Sequence, residues 1–158
     1  MEIKSIDSAH QLVVTHELSV VRARRAHLRR SCQGLEAALA APLADRDGAW
    51  ATELAQALDR LRQALDAHIE ITEGPDGLFE QVRADAPRLE PSLRRLHREH
   101  GDMRARLAAA AAELAATDDR DLGHLRQRLT ASLTQLTRHR QRGADLLYQA
   151  YQLDLGGE

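Results

Sequence analysis

Apolar positions in this chain recur at steps of three and four. Leu54, Leu58, Leu61, Leu65 and His68 follow one another at steps of four, three, four and three, which is one face of a helix. Leu93, Leu96, His100, Met103, Leu107 and Leu114 trace a second such stripe, and Leu122, Leu125, Leu129, Leu136, His139, Gly143, Leu146 and Ala150 a third. Upstream, a less clean stripe through Val13, His16, Val20 and Ala23 marks a first helix from about Ser8 to Ala41, weakened near Gly34 and stopped by Pro42 and Gly48. The second helix begins near Ala49 and breaks at "GPDG" (74 to 77); "LFEQVRADAP" is a short helical stretch closed by Pro87. The third starts near Pro91, since proline is tolerated in a first turn. Thr117 is the expected N-cap of the fourth, with Asp118 and Asp119 where the helix dipole favours acids. Four helices with short connections predict an all-α, up-and-down four-helix bundle, with residues 1–158 forming one domain.

Composition agrees. Aromatic residues make up 3% of the 158, and the hydrophobic 43% is mostly Leu and Ala, both strong helix formers. The 22 basic and 24 acidic residues nearly cancel to −2, so the whole molecule has no field to attract nucleic acid or a membrane. The segment "RARRAHLRR" (22 to 30) holds five arginines, which helical spacing spreads around most of a helix as a solvated face. One cysteine, Cys32, allows no internal disulfide, and no apolar run is long enough for a signal peptide or a span. A reducing cytoplasm is the expected location. The apolar residues Tyr148, Tyr151, Leu153 and Leu155 near the C-terminus are expected to pack back on the bundle or to make a dimer contact, so the chain is a monomer or a homodimer.

The chemistry lies in the histidines. His16, His68, His100 and His139 each fall on the apolar stripe of a different helix. One buried histidine is common; one from each of four helices is not. His100 lies 17 residues before Thr117 and His139 lies 22 after it, which is roughly 26 and 33 Å along their helices, within about one turn of a common depth. Imidazoles gathered in a core cannot all be charged, because burial and mutual repulsion oppose it. As neutral rings they are good ligands for iron, zinc or manganese. His97, three residues before His100, is a further candidate for the same site, whereas His27 sits three turns beyond His16, about 16 Å away. His10 and His124 have no evident partner.

These residues resemble the hemerythrin-like (HHE) family of four-helix non-haem iron proteins. The resemblance rests on His16 in the first helix, "LDAHIEITEGPDGLFEQV" in the second, "LHREHGDM" in the third and "LTRHRQRGADLLYQAY" in the fourth, in that order over nearly the whole chain. It implies that the second and fourth helices carry His-x-x-x-Glu, or a histidine with an acid five residues on, whose carboxylates bridge or cap two irons. Here the residue four after His68 is Thr72 and the residue four after His139 is Gly143, so both acids at that spacing are missing. The nearest substitutes are Glu73 and Asp145, which on an ideal helix point about 140° and 120° away from their histidines. The break at Gly74 and Pro75 is expected to rotate Glu73 inward, and Gly143 to loosen a turn that brings Asp145 closer.

The expected metal ligands are therefore His16, His68, Glu73, His97, His100, His139 and Asp145. The expected cofactor is iron, as one or two ions, with zinc or manganese as alternatives. The resemblance implies a protein that binds or reacts with O2, NO or peroxide. Two rivals stand beside it: a small oxidase or oxygenase acting on an organic substrate in the room left by Gly143, and a helical interaction module whose metal site has decayed.

Overall fold

The computed structural model describes residues 3–41, 49–116 and 122–151, with side chains from residue 19 onward. Four long helices, α1 (Ile3–Ala40), α2 (Ala49–Glu73), α4 (Glu90–Ala115) and α5 (Leu122–Tyr151), are joined by a short α3 (Leu78–Asp85) and a 3-10 turn (Pro87–Leu89) between α2 and α4. α1 packs on α2 and α5, and α4 packs on the same two, which closes the four long helices into a ring. This is the expected all-α, four-helix arrangement. α4 opens with Glu90 and a proline in its first turn, as its sequence predicts. The expected boundaries at Pro42, Gly48 and Thr117 lie outside the described residues.

The stripes of α2, α4 and α5 are buried as expected: Leu54, Leu58, Leu61, Leu93, Leu107, Leu125, Leu129 and Leu136 are all essentially inaccessible. The α1 stripe requires correction. Its buried face carries Val21, Leu28, Cys32, Leu35 and Leu39, while Val20 and Ala23 are exposed. α1 also runs unbroken past Gly34. Its inner face is legible only as a seven-residue repeat, Val21, Leu28 and Leu35, and the flanking arginines obscure it. Of the five arginines between 22 and 30, four are exposed and Arg25 is half-buried. α1 is held to its neighbours near its end, where Trp50 Nε1 donates to the Ala38 carbonyl at 2.9 Å and Arg126 Nη2 donates to the Leu39 carbonyl.

The core is divided. One apolar cluster joins Leu28, Leu35, Leu54, Leu65, Met103, Leu129 and Leu136; the other gathers Val21, Phe79, Val82, Leu93, Leu96 and Leu146 at the end covered by α3. Along α4 the first ends at Met103 and the second at Leu96, with His100 between them. Along α5 they end at Leu136 and Leu146, with His139 between. A polar layer thus interrupts the hydrophobic interior, and burying unpartnered polar groups there would cost stability. Tyr151 packs against the second cluster whereas Tyr148 is exposed; Leu153 and Leu155 lie outside the described residues. No helix among the described residues is long and apolar enough to cross a membrane.

Candidate metal centre

The polar layer consists of His68 from α2, His100 from α4 and His139 from α5, all buried, with one nitrogen from each lying within 4.8 Å of the others. The rings of His68 and His100 meet edge to face at 5.2 Å, and those of His68 and His139 at 5.7 Å. His100 Nε2 and His139 Nε2 are 3.0 Å apart. The common depth of His100 and His139 follows from the lengths of α4 and α5, as the sequence predicts.

The outer nitrogens decide the chemistry. Glu73 Oε1 lies 2.5 Å from His100 Nδ1, and Glu99 Oε2 lies 2.9 Å from His139 Nδ1. A carboxylate only accepts, so each ring donates its Nδ1 proton outward and turns a bare Nε2 lone pair inward. Two lone pairs facing at 3.0 Å repel unless a cation lies between them. Two nitrogens that share one metal ion at about 2.1 Å each are themselves about 3 Å apart, so the donor set fits a metal in both chemistry and spacing. Arg142 Nη2 binds Glu99 Oε1 at 2.8 Å and Arg95 Nε binds it at 3.2 Å, which fixes the carboxylate behind His139.

Burial and the neighbouring rings keep these imidazoles neutral. Loss of solvent, followed by the charges of His100, His139 and Arg25, lowers His68 to about 3. Desolvation and then His139 lower His100 to about 3. Desolvation also lowers His139, against the pull of Glu99. For Glu99 itself, desolvation works upward, but hydrogen bonds from His139 and Arg142 together with their charges outweigh it and hold the carboxyl below its usual range. Neutral rings and an ionised backing carboxylate are the protonation states a metal requires. Glu99→Gln removes the charge behind His139 and is expected to weaken metal affinity by about tenfold or more, read by competition with a chelator; an unchanged affinity would mean that Glu99 does not act through the ring.

The break at "GPDG" serves this layer. α2 ends at Glu73 without a widened turn, and Gly74 N still bonds to the Glu70 carbonyl at 3.0 Å. A Cβ on Gly74 would stand 2.7 Å from that carbonyl, and one on Gly77 would stand 2.8 Å from the carbonyls of Ile71, Thr72 and Gly74. Only glycines admit so tight a reversal. It folds α3 back over the rings, where Phe79 stacks on His100 at 5.7 Å with the planes 2° apart. The second consequence concerns Glu73, which as the last helical residue reaches the outer edge of His100.

Not every expected ligand converges. Glu73 stands behind His100, not among the inward nitrogens. His97 is exposed and bonds through Nδ1 to the same Glu73 oxygen at 2.9 Å. α5 runs unbroken through Gly143, so no turn is loosened, and Asp145 stays exposed with Gln141 Nε2 at 3.0 Å. The side chain of His16 lies outside the described residues. Thr72, where an acid would follow His68 by one turn, is buried and donates its hydroxyl to the His68 carbonyl at 2.9 Å. Cys32 is buried and pushed up to about 11 by desolvation despite Arg140, so it is not an activated thiol.

Two residues of the site escaped the sequence reading. Glu99 is adjacent to His100 but serves His139 on another helix, and no periodicity signals that. Arg25 had a signal: it is the one arginine of its run that lies near the buried face of α1. It lines a cavity of about 20 Å³ with His68, Thr72, His100, His139 and Gly143, enough for one water-sized group.

Comparisons with curated proteins and with solved structures give no match. The family model described as the hemerythrin HHE cation-binding domain matches residues 17–151, beginning one residue after His16 and including all three converging histidines. A bundle whose inner layer presents three neutral imidazoles, two of them backed by carboxylates, and which is matched along most of its length, belongs to the hemerythrin HHE cation-binding domain family.

Proposed function

We propose that this protein binds one iron ion through His68, His100 and His139, and that the iron binds or reacts with a small ligand such as O2, NO or peroxide. The observation that carries this reading is the pair of Nε2 atoms at 3.0 Å, each the unprotonated nitrogen of a ring whose Nδ1 donates to a carboxylate on its far side. Among the described residues three nitrogen donors converge with no carboxylate between them, which favours one ion over two, since two adjacent dications need bridging anions. When bound, such an ion supplies a position at which a small ligand attaches and, if it is redox-active, an electron.

The chain's own residues do the rest. Glu73 and Glu99 hold the two rings in the tautomer that binds. Phe79, Leu78 and Leu146 shield the cavity from water. A space of about 20 Å³ suits a diatomic or a peroxide and leaves no room for an organic substrate, which weighs against the oxidase or oxygenase reading. Zinc and manganese suit imidazoles as well, and metal analysis distinguishes them from iron.

The test is metal content per chain after expression with iron, together with an absorption spectrum before and after adding O2, NO or peroxide. About one equivalent of iron with a ligand-dependent spectrum is expected. Less than about a tenth of an equivalent, with melting unchanged by a chelator, would establish a decayed site in a helical interaction module.

A further inference from the structure

Arg25 is difficult to explain as a mere strap. Its Nη2 donates to the Arg140 carbonyl on α5 at 2.9 Å, and among the described residues it has no carboxylate partner. A guanidinium carries five donors, and this half-buried one spends Nη2 on that carbonyl. Here it lines the same small cavity as the three histidines, and loss of solvent and the charge of Arg140 both oppose its cation.

The nearest feature is Gly143, where the chain has no side chain one turn after His139. A Cβ there would meet only Arg25 Nη2, at 4.0 Å. So at the position where an acid would face the metal, the cavity is bounded by a cation instead. The two carboxylates nearby are already matched: Glu99 is held by Arg142 and Arg95, and Glu73 faces the outer nitrogens of His97 and His100. A metal ion among the inward nitrogens and a guanidinium on the same cavity repel each other unless something negative lies between them. The space available admits a group of a few atoms at most.

We propose that Arg25 makes this cavity selective for a small monoanion, held between the guanidinium and the metal ion. The inference rests on the metal-binding reading above and adds the ligand's charge to it. Azide and superoxide belong to the class that fits; a neutral diatomic gains nothing from Arg25. The role is that of a specificity-determining residue contributed by α1.

The experiment compares the iron(II)-loaded protein with Arg25→Gln and Arg25→Lys. Azide and nitric oxide are titrated separately and followed by absorption, and iron content and helicity are measured for each protein. Azide affinity is expected to fall by about tenfold or more in Arg25→Gln, the size of one hydrogen bond to a charged group, and to stay within about threefold in Arg25→Lys, which keeps the charge. Nitric oxide affinity should be the same in all three, which a general distortion of the site would not allow. Equal azide affinity in iron-loaded wild type and Arg25→Gln overturns the proposal and leaves the metal centre standing. A parallel loss of azide and nitric oxide binding also overturns it, because Arg25 would then be structural. If the wild type takes up no iron, the metal reading fails, and this proposal with it.

Discussion

His139→Ala is expected to empty the metal site. The ring supplies one of three inward nitrogens and is the partner that brings Nε2 within 3.0 Å of His100. Removing a carboxylate behind a ligand costs about 10- to 100-fold in affinity, so loss of the ligand itself should exceed 100-fold. The bundle should survive, because the leucine clusters on both sides of the layer are untouched and Glu99 keeps Arg142 and Arg95. Metal retained after gel filtration, with competition by a chelator, measures the loss. One full equivalent held by His139→Ala, at wild-type affinity, would mean that the ion sits elsewhere.

Acid provides the second large effect, and it needs no metal. In the metal-free protein His68 and His100 titrate near 3, against an ordinary value of 6.5. Between those two values the unfolded chain takes up protons that the folded chain refuses, so protons favour unfolding. Stability is complete above about pH 6.5 and falls as the pH drops toward 3. Each ring should cost about 2 kcal/mol between pH 7 and pH 5, or roughly 4 kcal/mol for the two. His139 is shifted in the same direction and adds to the loss. His68 and His100 are at most 8% exposed, so solvent screening takes little from this figure. Glu99, whose carboxyl lies below its usual range, contributes only below about pH 4.5, outside this window. Denaturant midpoints of the chelated protein at pH 7, 6 and 5 test it. A flat profile would mean that the rings are solvated or already charged in the folded state.

Some of this site can be read without coordinates, and the reason is local. The leucine stripes of α2, α4 and α5 each depend only on residues three or four apart, so hydrophobic spacing alone places His68, His100 and His139 on inner faces. The depth shared by His100 and His139 follows from counting residues from one connection, because helical rise is constant. The first stripe failed for an equally local reason. α1 has alternative apolar positions one residue apart, Val20 and Val21, and arginines surround both. Which of them turns inward depends on what α2 and α5 present.

The carboxylates show the limit most clearly. Spacing along α2 turns Glu73 away from the ligand face of His68, and it does stand outside the trio. That it then supports His100 on α4 depends on the reversal at Gly74 and Gly77 and on how α2 and α4 approach. Glu99 is adjacent in sequence to His100, yet its partner is 40 residues away. Arg25 and the Arg140 carbonyl are separated by 115 residues.

What the sequence alone determined is the set of helices, three of their four inner faces, and the depth shared by His100 and His139, because these follow from the period and rise of a helix. Only the tertiary structure decided which nitrogens of His100 and His139 turn inward, which acids stand behind those two rings, and that a guanidinium takes the place left open by Gly143. Those facts are contacts between helices. Their energies depend on distances of about 3 Å between groups far apart in the chain, and no repeat along a single helix encodes such distances.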